Sequence, residues 1–229
     1  MRQGPNWRVM NQALIVGASG GIGAALASEL SRRGARVTTL SRRNDGLDIT
    51  DAASVATHLG ALPEGAFDTV FVTTGTLAAG GSPEKSLAQI DAGTMAKVFA
   101  INAIGSALIL SQVERLLPRE HPSHVGILSA RVGSIEDNRI GGWHSYRASK
   151  AAVNQIVRGA AIEIGRKRKQ AVIAALHPGT VETPFTAGYP AHRKVSAAEA
   201  AANLVDVLSG LTSAQSGRFF AWDGTEVPW

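Results

Sequence analysis

The stretch from Ala13 to Arg33 constrains the fold more than any other part of the chain. Ala13-Leu14-Ile15-Val16 is a compact apolar run, and it ends directly in Gly17-Ala18-Ser19-Gly20-Gly21-Ile22-Gly23. Behind the glycines, Ile22, Leu26 and Leu30 recur at helical spacing as far as Arg33. A short strand, a glycine loop and an amphipathic helix in that order form the first unit of a dinucleotide-binding fold. Gly17 allows the tight turn out of the strand. Gly21 lets backbone approach a pyrophosphate, and Gly23 lets helix and strand pack closely. The N–H groups at the helix start, over Ser19, Gly20, Gly21 and Ile22, suit a phosphate charge.

The rest of the chain repeats this alternation. Strands are predicted at 35–40, which is rich in β-branched residues, and at 67–74, 125–129, 171–176 and 218–221. Long helical patterns cover 94–117, where Pro118 stops the run, and 145–168. Asp51 or Thr50 caps a helix over 52–59, and Ser196-Ala197-Ala198-Glu199 is a capping box for the helix carrying Leu204, Val205 and Leu208. Strands alternating with helices predict a doubly wound α/β fold, a parallel Rossmann-type sheet covered by helices on both faces. No linker composition interrupts the 229 residues, so one domain over 1–229 is expected.

Composition narrows the chemistry. Cysteine is absent, which excludes disulfides, thiolate metal sites and cysteine nucleophiles. No metal site is expected. The N-terminal stretch, with Arg2, Pro5 and Arg8, lacks the apolar core of a signal peptide, and no apolar run reads as long enough to span a bilayer. A cytoplasmic protein without a membrane partner is the expectation. The net charge is +5, with much of the excess in Arg166-Lys167-Arg168-Lys169, read as a solvated helix end. No nucleic-acid reader module accompanies it, so no nucleic-acid partner is expected.

After the second predicted strand stands Ser41-Arg42-Arg43, where a carboxylate would serve the ribose hydroxyls of NAD. A serine and planar, permanent cations suit a 2′-phosphate instead. NADP(H) is therefore the preferred cofactor, with NAD(H) possible. Tyr146-Arg147-Ala148-Ser149-Lys150 opens a predicted helix, and residues at i and i+4 share a helix face. Tyr146 and Lys150 then serve one ligand. Free tyrosine ionises near pH ~10. A neighbouring ammonium favours the phenolate, so the hydroxyl can exchange a proton nearer neutral pH.

The spacing G-x-x-x-G-x-G, joined to Tyr-x-x-x-Lys on the expected helix, resembles the short-chain dehydrogenase/reductase family from Leu14 to Gly224. Arg131-Val132-Gly133-Ser134-Ile135, with Gly141-Gly142-Trp143 ahead of the tyrosine, resembles its C-factor-like branch, which includes sniffer-type carbonyl reductases. The resemblance implies further roles. Asn102 would kink the long helix and bind a water linked to Lys150. Asp48-Ile49 would border the adenine. Pro178 and Gly179, with the Val181 backbone and the Thr183 hydroxyl, would hold the nicotinamide carboxamide. Thr74 and Gly75 stand where the family has an Asn-Asn-Ala-Gly run.

One family position departs. The serine that hydrogen-bonds the substrate carbonyl falls in register on Ala130. Ser129 and Ser134 are the neighbouring hydroxyls, and Ser129 is the preferred candidate. The implied activity is reversible oxidoreduction of a small carbonyl or alcohol. Trp143, His144 and a lid over 185–193 would face the substrate. A homodimer or homotetramer through the two long helices is expected. The alternative is a dinucleotide-binding sensor or signalling protein with weak or no turnover.

Overall fold

The computed structural model describes residues 10–188 and 194–229. In chain order the elements are β1 (Gln12–Val16), α1 (Gly21–Arg32), β2 (Arg36–Leu40), the short α2 (Arg42–Asp45), α3 (Ala52–Gly60) and β3 (Thr69–Val72). Then follow α4 (Ala92–Phe99), a π-helical turn (Ala100–Ile104), α5 (Gly105–Leu116), β4 (Ser123–Leu128), α6 (His144–Lys167), β5 (Ala171–His177), α7 (Ala197–Gly210) and β6 (Phe219–Ala221). The six strands form one parallel sheet in the order β2-β1-β3-β4-β5-β6. The chain reverses direction across the sheet between β1 and β3, where Val16 is in register with Val72. In doubly wound sheets, ligands bind in the crevice at that reversal, beyond the carboxyl ends of the strands.

The predicted α/β architecture holds. β1, β3, β4 and β5 are buried on both faces, which is why they read as continuous apolar runs rather than alternations. On one face, Leu26 and Leu30 of α1 and Leu204, Val205 and Leu208 of α7 pack against Ile15, Phe71 and Val172. On the other, Ile109 and Val113 of α5 and Val153 and Val157 of α6 pack against Val16, Val70 and Ile127. Asp51 is the residue that caps α3, accepting from the Ala53 N–H at 2.9 Å. Ser196 caps α7, accepting from the Glu199 N–H at 3.1 Å.

Three sequence expectations are corrected here. The single helix expected over 94–117 is two helices joined by the π-helical turn, because Asn102 and its neighbours carry one extra residue per turn. The stretch Ala92–Leu116 is also, by length and composition, apolar enough to cross a membrane, contrary to the sequence reading. Its apolar residues include the core contacts of α5 just described, and a core helix passes the same test. Finally, the basic run at the end of α6 is not simply solvated. Arg168 is only 4% exposed: its Nε donates to the carbonyls of Glu114 and Leu117 at 3.1 and 3.2 Å, and its guanidinium pairs with the Glu114 carboxylate at 3.1 Å. It ties the ends of α5 and α6 together by capping exposed carbonyls.

Candidate active site

A cavity of about 520 Å³ opens at the carboxyl ends of the strands. Its floor is the turn between β1 and α1. The N-cap of α1 is Gly20, and no side chain caps the helix, so its first N–H groups stay open on the cavity side. Glycine is required in this turn. A β-carbon on Gly23 would stand 2.4 Å from the Gly17 carbonyl oxygen, and one on Gly21 would stand 2.7 Å from a methyl group of Thr183. Ser19, Gly20, Gly21, Ile22 and Gly23 all line the cavity, while Gly17 shapes the turn beneath it with φ +96°.

At the rim nearest β2, only Arg43 of the Ser41-Arg42-Arg43 run lines the cavity. Ser41 is 3% exposed and spends its hydroxyl locally. It accepts from the Asn44 N–H at 3.2 Å, as the cap of α2, and donates to the Asp45 carboxylate at 3.2 Å. Asp48 and Ile49 do not line the cavity. The Asp48 carboxylate closes a turn, accepting from the N–H and hydroxyl of Thr50 at 2.9 and 2.7 Å, and those bonds hold it below the usual carboxylate range. Ile49 packs against Gly105 of α5.

Opposite the glycine turn stands the first half of α6. Tyr146 and Lys150 are 6% and 4% exposed and both line the cavity. The Lys150 Nζ lies 5.9 Å from the centre of the tyrosine ring and donates to the Leu128 carbonyl at 2.9 Å. Burial pulls the lysine pKa down from 10.5 to about 8, so the ammonium remains charged at neutral pH. Trp143 packs edgewise against the tyrosine ring with its centroid 6.4 Å away, and Phe185 lies tilted against it at 6.1 Å.

Asn102 sits inside the π-helical turn and is fully buried. Its Oδ1 accepts from the Thr76 N–H at 2.7 Å, and its Nδ2 donates to the Thr76 carbonyl at 2.8 Å and to the Ser149 hydroxyl at 2.9 Å. It thus locks the loop after β3 onto α6. That loop brings Gly75 between Asn102 and Lys150, where a β-carbon would stand 3.3 Å from one and 3.4 Å from the other. Thr74 lines the cavity with its hydroxyl buried and without a partner among the described residues. Pro178, Gly179, Val181 and Thr183 also line the cavity, with Thr183 against Gly21.

Both candidate serine hydroxyls are engaged within the fold. Ser129 reaches the cavity wall, but its hydroxyl donates to Asn154 Oδ1 at 2.6 Å. Ser134 bonds the Trp229 carbonyl at 3.2 Å and accepts from the Asp137 N–H at 3.1 Å, outside the cavity lining. Ala130 lines the cavity beside Ser129. Among the cavity residues to which the sequence gives no role are two titratable ones, Arg131 and His177. Burial pushes His177 down to about 4, which keeps it neutral, and its Nδ1 is buried with no hydrogen-bond partner among the described residues. Of the expected lid, Phe185 lines the cavity, and 189–193 lie outside the described residues. His144 does not line it.

A dinucleotide fits these features. The uncapped helix start takes an anion, the glycine cradle admits a pyrophosphate backbone, and the orphaned Thr74 hydroxyl lacks a partner that a ligand would supply.

Comparison with known proteins agrees with the geometry. The family model described as enoyl-(acyl carrier protein) reductase matches residues 17–221. The 1-hydroxy-2-glutathionyl-2-methyl-3-butene dehydrogenase of Rhodococcus sp. is 31% identical over 96% of this chain and all of its own. The C-signal protein of Myxococcus xanthus is 35% identical over 63% of this chain and 84% of its own. A Burkholderia multivorans short-chain dehydrogenase/reductase structure with bound NADP superposes with a TM-score of 0.75 at 27% identity, covering 96% of this chain and 100% of the other. The chain belongs to the short-chain dehydrogenase/reductase family and is an oxidoreductase.

Proposed function

We propose that this protein interconverts a carbonyl compound and an alcohol with NADP(H), using Tyr146 as the acid/base. The observation that carries the reading is the arrangement of one cavity: the uncapped start of α1 on one side, and Tyr146 with buried Lys150 on the other. Ser19 to Gly23 would hold the pyrophosphate, Arg43 a 2′-phosphate, and Pro178, Gly179, Val181 and Thr183 the nicotinamide end. The NADP bound by the Burkholderia neighbour supports that cofactor. NAD(H) is the weaker alternative. When bound, the dinucleotide supplies or accepts the hydride.

The chain's own residues handle the proton and the charge. In the reducing direction, the Tyr146 hydroxyl donates to the oxygen that becomes alkoxide, and in reverse it takes the proton back. The Lys150 ammonium lies against the tyrosine and favours the phenolate. Asn102 holds the loop beside Lys150 and so fixes the lysine's surroundings. Ala130, Val132, Trp143 and Phe185 give the substrate side apolar walls that exclude water. Ser129 serves the carbonyl only by releasing Asn154, so Tyr146 carries the polarisation in the resting geometry. The chain pairs as a homodimer or homotetramer through the two long helical runs, where Ile104 of the π-helical turn ahead of α5 and Ile162 of α6 are exposed.

Ala130 in place of the family hydroxyl favours a second reading, a dinucleotide-binding sensor with slow turnover. One experiment separates the two. Purified protein is supplied with NADPH or NADH and a panel of aldehydes, ketones and quinones. Rapid NADPH oxidation by at least one carbonyl, with deuterium passing from labelled NADPH to the product carbon, supports the enzyme. Tight NADPH binding with no turnover on any carbonyl supports the sensor.

A further inference from the structure

The helix that carries the proposed acid/base has no cap of its own. The N-cap residue of α6 is Trp143, which makes no side-chain capping bond and stands at φ +52°. It is the one non-glycine residue with positive φ among the described residues, a conformation that bulky side chains rarely adopt. A 24-residue helix starting this way needs an outside partner for its first N–H groups.

Glu84 is that partner. It is 9% exposed, and it approaches from a loop 61 residues earlier in the chain. Its Oε2 accepts from the Ser145 N–H at 3.3 Å, its Oε1 accepts from the Ser145 hydroxyl, and its backbone carbonyl accepts from the Trp143 N–H. Three contacts therefore converge on the residues immediately before Tyr146. Burial, the largest single influence, pushes the Glu84 carboxyl up, but the Ser145 bonds, its own backbone N–H and the nearby His144 together hold the group below the usual carboxylate range. A buried carboxylate at a helix start also meets the positive end of the macrodipole. From the other side, the Arg147 Nε donates to the Gly142 carbonyl at 3.0 Å, so the turn is clamped between two elements.

We propose that Glu84 is a positioning residue for the proton transfer: its carboxylate caps α6 from outside the helix and fixes the turn on which Tyr146 stands. This rests on the reading of Tyr146 as acid/base. Glu84 touches neither the cavity nor the reacting atoms, and it acts through Ser145.

The test uses Glu84→Ala, Glu84→Gln and Ser145→Ala in the full chain, with a carbonyl substrate identified by the panel. Glu84→Ala is expected to lower kcat about tenfold or more, because an ångström of misplacement at a reacting group costs as much as ~10²-fold. The NADPH Kd, measured by fluorescence, should stay within about twofold, since the α1 side of the cavity is untouched. Glu84→Gln keeps an oxygen for the Ser145 N–H and should restore most of kcat. Should Glu84→Ala fail to fold, Ser145→Ala reports in its place, with a lowered kcat and an unchanged Kd. A second readout needs no turnover. The chain has two tyrosines, so ¹³C-tyrosine NMR assigns Tyr146 with a Tyr189→Phe control. Its ring signal should move in Glu84→Ala and return in Glu84→Gln. A parent-like kcat together with an unmoved Tyr146 signal, whatever the Tm, overturns the proposal. If Tyr146→Phe keeps the parent rate, the acid/base reading fails, and the NMR arm alone then decides whether Glu84 places Tyr146.

Discussion

The two helices that meet at the cavity start in opposite ways. α1 has Gly20 at its N-cap and no side chain over its first N–H groups, which face the cavity. α6 has Trp143 at its N-cap and is closed by the Glu84 carboxylate, which accepts from both the N–H and the hydroxyl of Ser145. An open helix start is an anion site, whereas a closed one is a mount. The difference assigns the work: α1 is left incomplete for a ligand to finish, and α6 is finished by the protein so that Tyr146 and Lys150 stay put.

The comparison breaks most severely at the open end. Gly21→Val would place side-chain carbon where a β-carbon already meets Thr183 at 2.7 Å, and it would cover the N–H groups. NADPH affinity is expected to fall by more than about 100-fold, some 3 kcal/mol, in a fluorescence titration. The same substitution should also lower the unliganded Tm, because Cγ2 and Cβ of the stiff Thr183 side chain would stand 2.7 and 3.3 Å from the new β-carbon and must shift.

At the closed end, Lys150→Met separates function from stability. The lysine is pulled from 10.5 to about 8 by burial. The folded protein therefore binds fewer protons than the unfolded chain between those values, so its stability rises with pH across that window. Below about pH 8 the penalty is fully present, at ~3 kcal/mol from the pKa difference. Lys150→Met should abolish turnover yet raise Tm at pH 7, and the gain should shrink as pH approaches the free-lysine value. A Tm lowered equally at pH 7 and pH 10 would show that the bond to the Leu128 carbonyl outweighs the buried charge.

The two arginines beyond β2 sharpen the picture of the open side. Arg43 lines the cavity and Arg42 does not. Arg43→Asp should cut the preference for NADPH over NADH about tenfold or more, as expected for one charge-assisted phosphate contact worth ~1.5–3 kcal/mol. Arg42→Asp should change it less. Equal effects would move the 2′-phosphate away from Arg43. The smallest effect belongs to Ser129→Ala, which leaves Asn154 without its buried donor. A loss of ~1–3 kcal/mol in chemical denaturation is expected, with little change in kcat. A kcat that falls with Ser129→Ala and rises with Ala130→Ser would show that a hydroxyl at this wall polarises the carbonyl.

What the sequence revealed follows the same division. The glycine turn and the Tyr146–Lys150 spacing are local patterns, so they were readable before any fold was known. The apolar strands were readable because both of their faces are buried. Glu84 was not: it lies in an irregular run between Pro83 and Lys85, and only the tertiary approach of α6 gives it a role. In the sequence Arg168 is one more cation in a basic run, and only its bonds to the Glu114 and Leu117 carbonyls give it a separate role. The orientation of Ser129 depended on Asn154, which stands 25 residues later. Which of two adjacent arginines faces the cavity was set by the short helix α2, which its own Ser41 cap begins.

The most direct test of the account compares binding with turnover in Tyr146→Phe. The substitution removes one oxygen from the closed side of the cavity and nothing from the open side. NADPH should bind with its parent affinity, while the rate on an established carbonyl substrate falls by ~10²–10⁴-fold. A variant that binds NADPH normally and turns over at the parent rate would contradict the account.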